Sequence, residues 1–146
     1  MYFVDRSKIE QVLSFMKKIL NEVKKESSYT EFKDKLSLER MVHVLIESTL
    51  DVGNMMIDGF IMRDPGSFED IIDILVDEKV LPQEEEAAYK SFIGLRKMLI
   101  NNYTEVDHAV LLDKMNEHLD VLDRFSVHIG LYLDNELEVV NAFSNE

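Results

Sequence analysis

Two groups of residues in this sequence have types and spacings that chemistry could use. His43, Glu47, Asp51, Asn54 and Asp58 recur at intervals of 4, 4, 3 and 4, which on a helix places them within an arc of about 80°. The residues between them are mostly apolar, so this helix carries a single polar stripe. The stripe is either its solvent face or the wall of a cleft or of a polar dimer interface. His43, Glu47 and Asp51 also have the i, i+4 spacing of metal ligands. A carboxylate-bridged di-metal bundle, however, needs Glu-x-x-His pairs on two helices, and Glu105-Val-Asp-His108 lacks its second copy. We therefore expect no metal and no other cofactor.

The second group is Arg96-Lys97-Met98-Leu99-Ile100-Asn101-Asn102-Tyr103. Arg96 and Tyr103 are seven apart, which on a continuous helix puts them on nearly the same face. The plain structural alternative is an exposed Arg, an Asn pair that stops a helix, and a Tyr packed over the following turn.

Five helical segments position these residues. The first carries Ile9, Val12, Leu13, Met16, Ile19, Leu20 and Val23 at the spacing of an amphipathic helix. Ser7 and Glu10 form a capping box at its start, Lys24 and Lys25 suit the dipole at its end, and Glu26 to Thr30 form a polar break. The second runs from Glu31 or later to about Met62 and is apolar on most of its circumference, as the central helix of a bundle would be. Arg63-Asp64-Pro65-Gly66-Ser67 ends it, and Ser67 with Asp70 caps a short third helix bearing Phe68, Ile71, Ile72, Leu75 and Val76. Pro82 opens a fourth, with Glu84, Glu85 and Glu86 complementing its dipole. It turns Ala88, Phe92, Leu95 and Leu99 inward and stops near Asn101-Asn102. Thr104 with Asp107 caps a fifth, which bears Val110, Leu111, Leu119, Leu122, Phe125, Ile129 and Leu133, and the last dozen residues read as a fraying tail. The Met residues read as core filling, and Tyr29, Tyr89 and Tyr132 show no pattern that assigns them a role.

Composition agrees with an all-α antiparallel bundle and narrows its partners. The 146 residues suit one domain, 1–146, and five Gly and two Pro are too few for the turns of an all-β fold. The absence of Cys excludes disulfides, thiol catalysis and Cys-based metal sites. A net charge of -13, from 16 Lys plus Arg against 29 Asp plus Glu, repels phosphate backbones, so DNA and long nucleic acids are poor partners. Arg63, Lys90, Arg96 and Lys97 are the cations expected near a cleft. No segment reads as a membrane span or signal peptide, and a cytoplasmic protein is expected.

The string Arg96-x4-Asn101-x-Tyr103-x-x-Val106-Asp107 resembles the motif of the HepT branch of HEPN-domain proteins, which reads Arg, four residues, His, any residue, Tyr, then Ile-Asp. Asp51-Val-Gly-Asn54 resembles the family's polar helix, and Ile57-Asp-Gly-Phe-Ile-Met-Arg-Asp-Pro-Gly-Ser67 is similar to the YutE-type HepT-like proteins of Firmicutes. The resemblance runs over essentially the whole chain. It implies a homodimer whose cleft holds the motif of both chains, and a metal-independent ribonuclease toxin paired with a minimal nucleotidyltransferase antitoxin. In such a pair the antitoxin adds AMP to the motif tyrosine. Carried over, Arg96 binds the scissile phosphate, and Tyr103 is both a site residue and the AMP acceptor. Asp51 and Asn54 line the cleft and orient Arg96 or the RNA, and Glu47 and His43 line the cleft with them.

One departure bears on activity. Asn101 stands where the family has His, and a carboxamide neither takes nor gives a proton as an imidazole does near neutral pH. Loss of one acid–base group costs about 10²–10⁴-fold in rate. His43, on the stripe, and His108, just past the motif, are the imidazoles that could replace it. Three functions follow: a weakened ribonuclease; a catalytically inactive dimer that binds a nucleotide, an RNA end or a protein partner; and a purely structural helical module.

Overall fold

A helix that is apolar on nearly every side has to be surrounded, and α2 (Phe32–Gly59) is. The computed structural model describes residues 3–25 and 28–144. Around α2 pack α1 (Arg6–Lys25), α3 (Phe68–Asp77), α5 (Arg96–Asn101) and α6 (His108–Ser144). A single 3-10 turn (Gln83–Glu85) and α4 (Glu86–Ile93) complete the antiparallel bundle, and no strand occurs among the described residues. Leu38, Val42, Leu45, Ile46, Leu50, Met56 and Ile57 of α2 are buried against Leu111, Met115, Leu122, Phe125 and Ile129 of α6 and the inward face of α1. Each such side chain contributes about 1.5–3 kcal/mol on burial. Met16, Met56 and Met115 fill the core, and Met41, Met55, Met62 and Met98 pack against it. Gly53 lets α3 approach closely, since a Cβ there would come within 2.6 Å of Ile71 Cγ2.

All five segments read from the sequence are present, with four differences of detail. The N-cap of α1 is Asp5, which accepts from Lys8 N at 3.1 Å. Ser7 lies inside the helix, and Glu10 pairs with Arg6 at 2.9 Å instead of closing a capping box. Likewise Asp107 alone caps α6, accepting from Val110 N at 3.2 Å, while Thr104 sits in the preceding turn. The fourth segment is broken at Gly94–Leu95, where Leu95 N donates to Phe92 O at 3.1 Å in a tighter i→i+3 step. Where a fraying tail was expected, α6 continues to Ser144, and positions 145 and 146 lie outside the described residues. By contrast, Ser67 caps α3 as expected, accepting from Asp70 N at 3.1 Å.

Several charged residues serve the packing of the bundle. Glu85 is buried, and its two oxygens take Arg124 Nε at 2.6 Å and His128 Nε2 at 2.9 Å from α6. Tyr89 beside it is in the core, with its phenol raised well above the usual range by burial and by the Glu85 charge. Tyr29 is also buried, and Tyr132 meets Phe60 edge-on at 5.1 Å. Arg63 forks onto both oxygens of Asp70 at 2.7 Å. That fork, with a further N–H from Gly66, holds the Asp70 carboxyl down at about 2. The loop delivering Ser67 and Phe68 is thereby fixed.

Helices α2 and α3 both end through a residue with positive φ, Ile61 at 57° and Lys79 at 62°. A β-branched residue is poorly suited to that region, and Ile61 is 65% exposed, so little packing compensates. Ile61→Gly is expected to relieve roughly 1 kcal/mol of backbone conflict. A thermal melt should show a rise of about 2–4 °C.

Candidate functional site

Past the Gly94–Leu95 step α5 starts at Arg96 and packs against α2. Leu95 and Leu99 are buried and anchor it. Arg96 Nε then donates to Glu47 Oε1 at 2.6 Å, and its guanidinium carbon lies 4.4 Å from the centroid of the Phe68 ring. His43 Nε2 is 3.5 Å from the same Glu47 oxygen. One carboxylate oxygen therefore gathers a guanidinium and an imidazole, all three side chains being partly exposed at 30–36%. Only the Nε of Arg96 is engaged among the described residues, which leaves the four N–H groups of its two Nη atoms for a ligand.

Those groups lie at a groove of about 480 Å³ between α3 and α5, whose walls include Phe68, Glu69, Arg96, Lys97, Ile100 and Asn101. Of the cations expected near a cleft, Arg96 and Lys97 are here. Arg63 is held by Asp70, and Lys90 is held by Asp73 at 2.5 Å and Glu86 at 3.1 Å. Asn101 closes α5, and Asn102 caps it, as the Asn pair suggested.

Tyr103 is placed differently from either sequence expectation. The helix has ended before it, so it does not share a helical face with Arg96, and its side chain is 70% exposed. It stands in the turn closed by Glu105 N donating to Asn102 O at 3.0 Å. Past that turn, His108 Nε2 is 2.8 Å from Glu39 Oε2. Glu39 is eight residues before Glu47 on α2, roughly 12 Å along the axis. The segment from Arg96 to His108 is thus tied to one face of α2 at both ends.

Asp51 and Asn54 lie one and two turns beyond Glu47 on the stripe. Asp51 is exposed, yet partial loss of hydration and then the Glu47 charge push its carboxyl up, with Lys8 partly offsetting them. The residue that grips Arg96 is Glu47. Sequence reasoning missed Glu39 and the outward use of Phe68. Glu39 extends the stripe by one more i, i+4 step, a legible signal, whereas Phe68 had read as part of the apolar face of α3. Among the described residues no three His, Asp or Glu side chains converge as a metal centre would need.

The helical arrangement is that of the HEPN toxins. Two solved structures share it at low sequence identity, which establishes the fold. One is the tri-AMPylated Shewanella oneidensis HEPN toxin in complex with MNT antitoxin, with a TM-score of 0.75, 19% identity, 84% of this chain covered and 96% of that one. The other is a toxin–antitoxin with AMP-PNP, with a TM-score of 0.73, 17% identity and coverage of 83% and 96%. Similarity to the cytosolic protein YutE from Bacillus subtilis is far greater: its structure superposes with a TM-score of 0.91, covering 94% of this chain and 96% of that one. In sequence, the candidate RNase YutE of Bacillus subtilis (strain 168) is 46% identical over 143 residues, 98% of this chain and 99% of the relative. The HepT-like ribonuclease family model matches residues 9–129, and the chain belongs to that family.

The raised Asp51 carboxyl has a sign that can be checked. Below the ordinary carboxylate range both the folded and unfolded chains are protonated there. As pH rises through the raised folded value, the folded state carries a charge it holds less well than the unfolded chain does. Asp51→Asn should therefore raise the melting temperature at pH 7 and leave it unchanged near pH 3.

Proposed function

We propose that this chain is a HepT-type endoribonuclease that cleaves RNA without metal and is slowed by Asn101. The observation that carries this reading is the state of Arg96, fixed through Nε and over Phe68 with its Nη groups open to a groove that also holds Asn101. A guanidinium anchored on one edge presents the other as a rigid fork, which matches two oxygens of a phosphate. In the reaction the ribose 2′-oxygen attacks phosphorus, loses its proton, and expels the 5′-oxygen, which takes a proton up. A 2′,3′-cyclic phosphate and a 5′-hydroxyl result. Arg96 stabilises the negative charge that grows on the phosphate oxygens. Asn101 can hydrogen-bond one of those oxygens or the 2′-hydroxyl, but it transfers no proton. His43, in contact with the same Glu47 oxygen as Arg96, is the imidazole of this cluster, whereas His108 is engaged by Glu39.

The chain acts in this reading as one cytoplasmic HepT-like domain, 1–146, paired into a homodimer. Two copies bring two Arg96–Lys97 pairs to one cleft, which partly counters the net charge of -13. Tyr103, exposed in its turn, is the residue a nucleotidyltransferase antitoxin would reach and modify with AMP. The tri-AMPylated state of the Shewanella oneidensis HEPN toxin supports AMP as the modifying group. A second reading, favoured by the absence of any imidazole from the groove walls among the described residues, is a dimer that binds an RNA end, a nucleotide or a protein partner and does not cut.

Cleavage of RNA in EDTA by the wild type, Arg96→Ala and Asn101→His separates the two. The ribonuclease reading expects slow cleavage by wild type, loss with Arg96→Ala, and a gain of about 10²–10⁴-fold with Asn101→His. A silent wild type and a silent Asn101→His, with retained binding that Arg96→Ala removes, would leave the binding dimer.

A further inference from the structure

The groove beside Arg96 has more apolar wall than a phosphate needs. Ile71, Ile72, Ile74 and Leu75 of α3 are buried, but Phe68 at its first position is 49% exposed and faces the groove with Ile100 of α5. Burying an aromatic ring normally gains more than exposing it, so the core does not account for Phe at this place. One side of the ring is met by the Arg96 guanidinium at 4.4 Å, and half of its surface stays open. Around it the groove offers Lys97 and the Nη groups of Arg96 for an anion, and the Asn101 amide as both donor and acceptor. Glu69 adds an acceptor that suits a base amino group and would repel a phosphate.

An aromatic face, an amide, two cations and a volume of about 480 Å³ in one groove match the parts of a single nucleotide. We propose that this groove is a nucleobase subsite in which Phe68 stacks an unpaired base while Arg96 and Lys97 hold the adjoining phosphate. The inference rests on the RNA reading of the site and names its substrate class as single-stranded RNA. In a duplex both faces of each base are already stacked, so the ring has nothing to receive, whereas unpaired bases stack on aromatic side chains whatever their identity. The same arrangement lets an acidic protein hold a short strand, since part of the attraction is then independent of charge. Phe68 is in this role a binding residue, distinct from its effect on the position of Arg96.

The two roles separate by removing the base from the ligand. Fluorescence anisotropy in EDTA would compare a short labelled single-stranded oligoribonucleotide, its duplex, and an abasic strand of the same length. The full-length wild type, Phe68→Ala, Phe68→Tyr and Arg96→Ala would each be measured, with sedimentation run in parallel. The expected result is that wild type prefers the single strand to the duplex and that Phe68→Ala weakens single-strand binding by about 5- to 100-fold. Its affinity for the abasic strand should fall by clearly less than that for the base-bearing strand, Phe68→Tyr should restore the loss, and Arg96→Ala should weaken both strands. If Arg96→Ala weakens binding but Phe68→Ala does not, or lowers base-bearing and abasic binding equally, the subsite is overturned and the RNA reading survives. If Phe68→Ala instead shifts the oligomeric state, the ring is a contact between copies and the subsite is likewise overturned. Insensitivity of all binding to Arg96→Ala would overturn the RNA reading itself, and the subsite with it.

Discussion

A helix of six residues cannot hold its own direction. It closes too few i→i+4 hydrogen bonds to offset the order it requires, so α5 points where its surroundings make it point. Leu95 and Leu99 sink one side into the core, and the Glu47–Arg96 ion pair fixes the other against α2. A second link, Glu39 to His108, holds the far end of the segment. Everything proposed for the groove depends on this two-point attachment. An exposed ion pair alone is worth little, but here it selects one orientation for a segment whose burial has already supplied the stability.

The excess of carboxylates shapes the site by subtraction. Arg6, Lys24, Arg63, Lys90 and Arg124 all find acidic partners elsewhere in the bundle. What remains at the groove is the open edge of Arg96 and the ammonium of Lys97. A surface of this kind has no long-range field to gather polyanions. Recognition then rests on short-range fit, on the fork geometry of one guanidinium and on the ring beside it. This is consistent with a small and particular ligand rather than with any long nucleic acid.

The elements were legible because hydrophobic periodicity is a property of the sequence itself. The near-continuous apolar surface of α2 announced a central helix, and its stripe contained Glu47, the residue bonded to Arg96 of α5. Capping was less legible where two candidates stood close together. Asp5 and Ser7 both suit an N-cap, and the choice follows from Arg6, which must be helical to reach Glu10 and Asp134. The break at Gly94–Leu95 left little mark, since both residues keep right-handed helical angles and only the hydrogen-bond step changes. Glu85 was unreadable for a different reason: its partners, Arg124 and His128, lie about forty residues away and meet it only through the packing of α4 on α6. At the site, Arg96 and Asn101 could be placed from their local pattern. The position of Tyr103 depended on where α5 stops, which is set by tertiary anchoring.

Gly53 ties an apolar contact in the core to the groove. The absence of a side chain there lets Ile71 settle against α2, and Ile71 is three residues along the same short helix from Phe68. A methyl group at position 53 would collide with the Ile71 side chain, and any shift of α3 that relieves the clash would carry the ring away from the guanidinium it covers. Under the proposed function, a genetic screen would score such a change with lesions of the groove itself, although the residue has no functional group. Its suppressor would be sought at another silent position, with Ile71 trimmed to Ala. The map of positions that matter to function would then extend through the protein along lines of contact that carry no chemistry of their own.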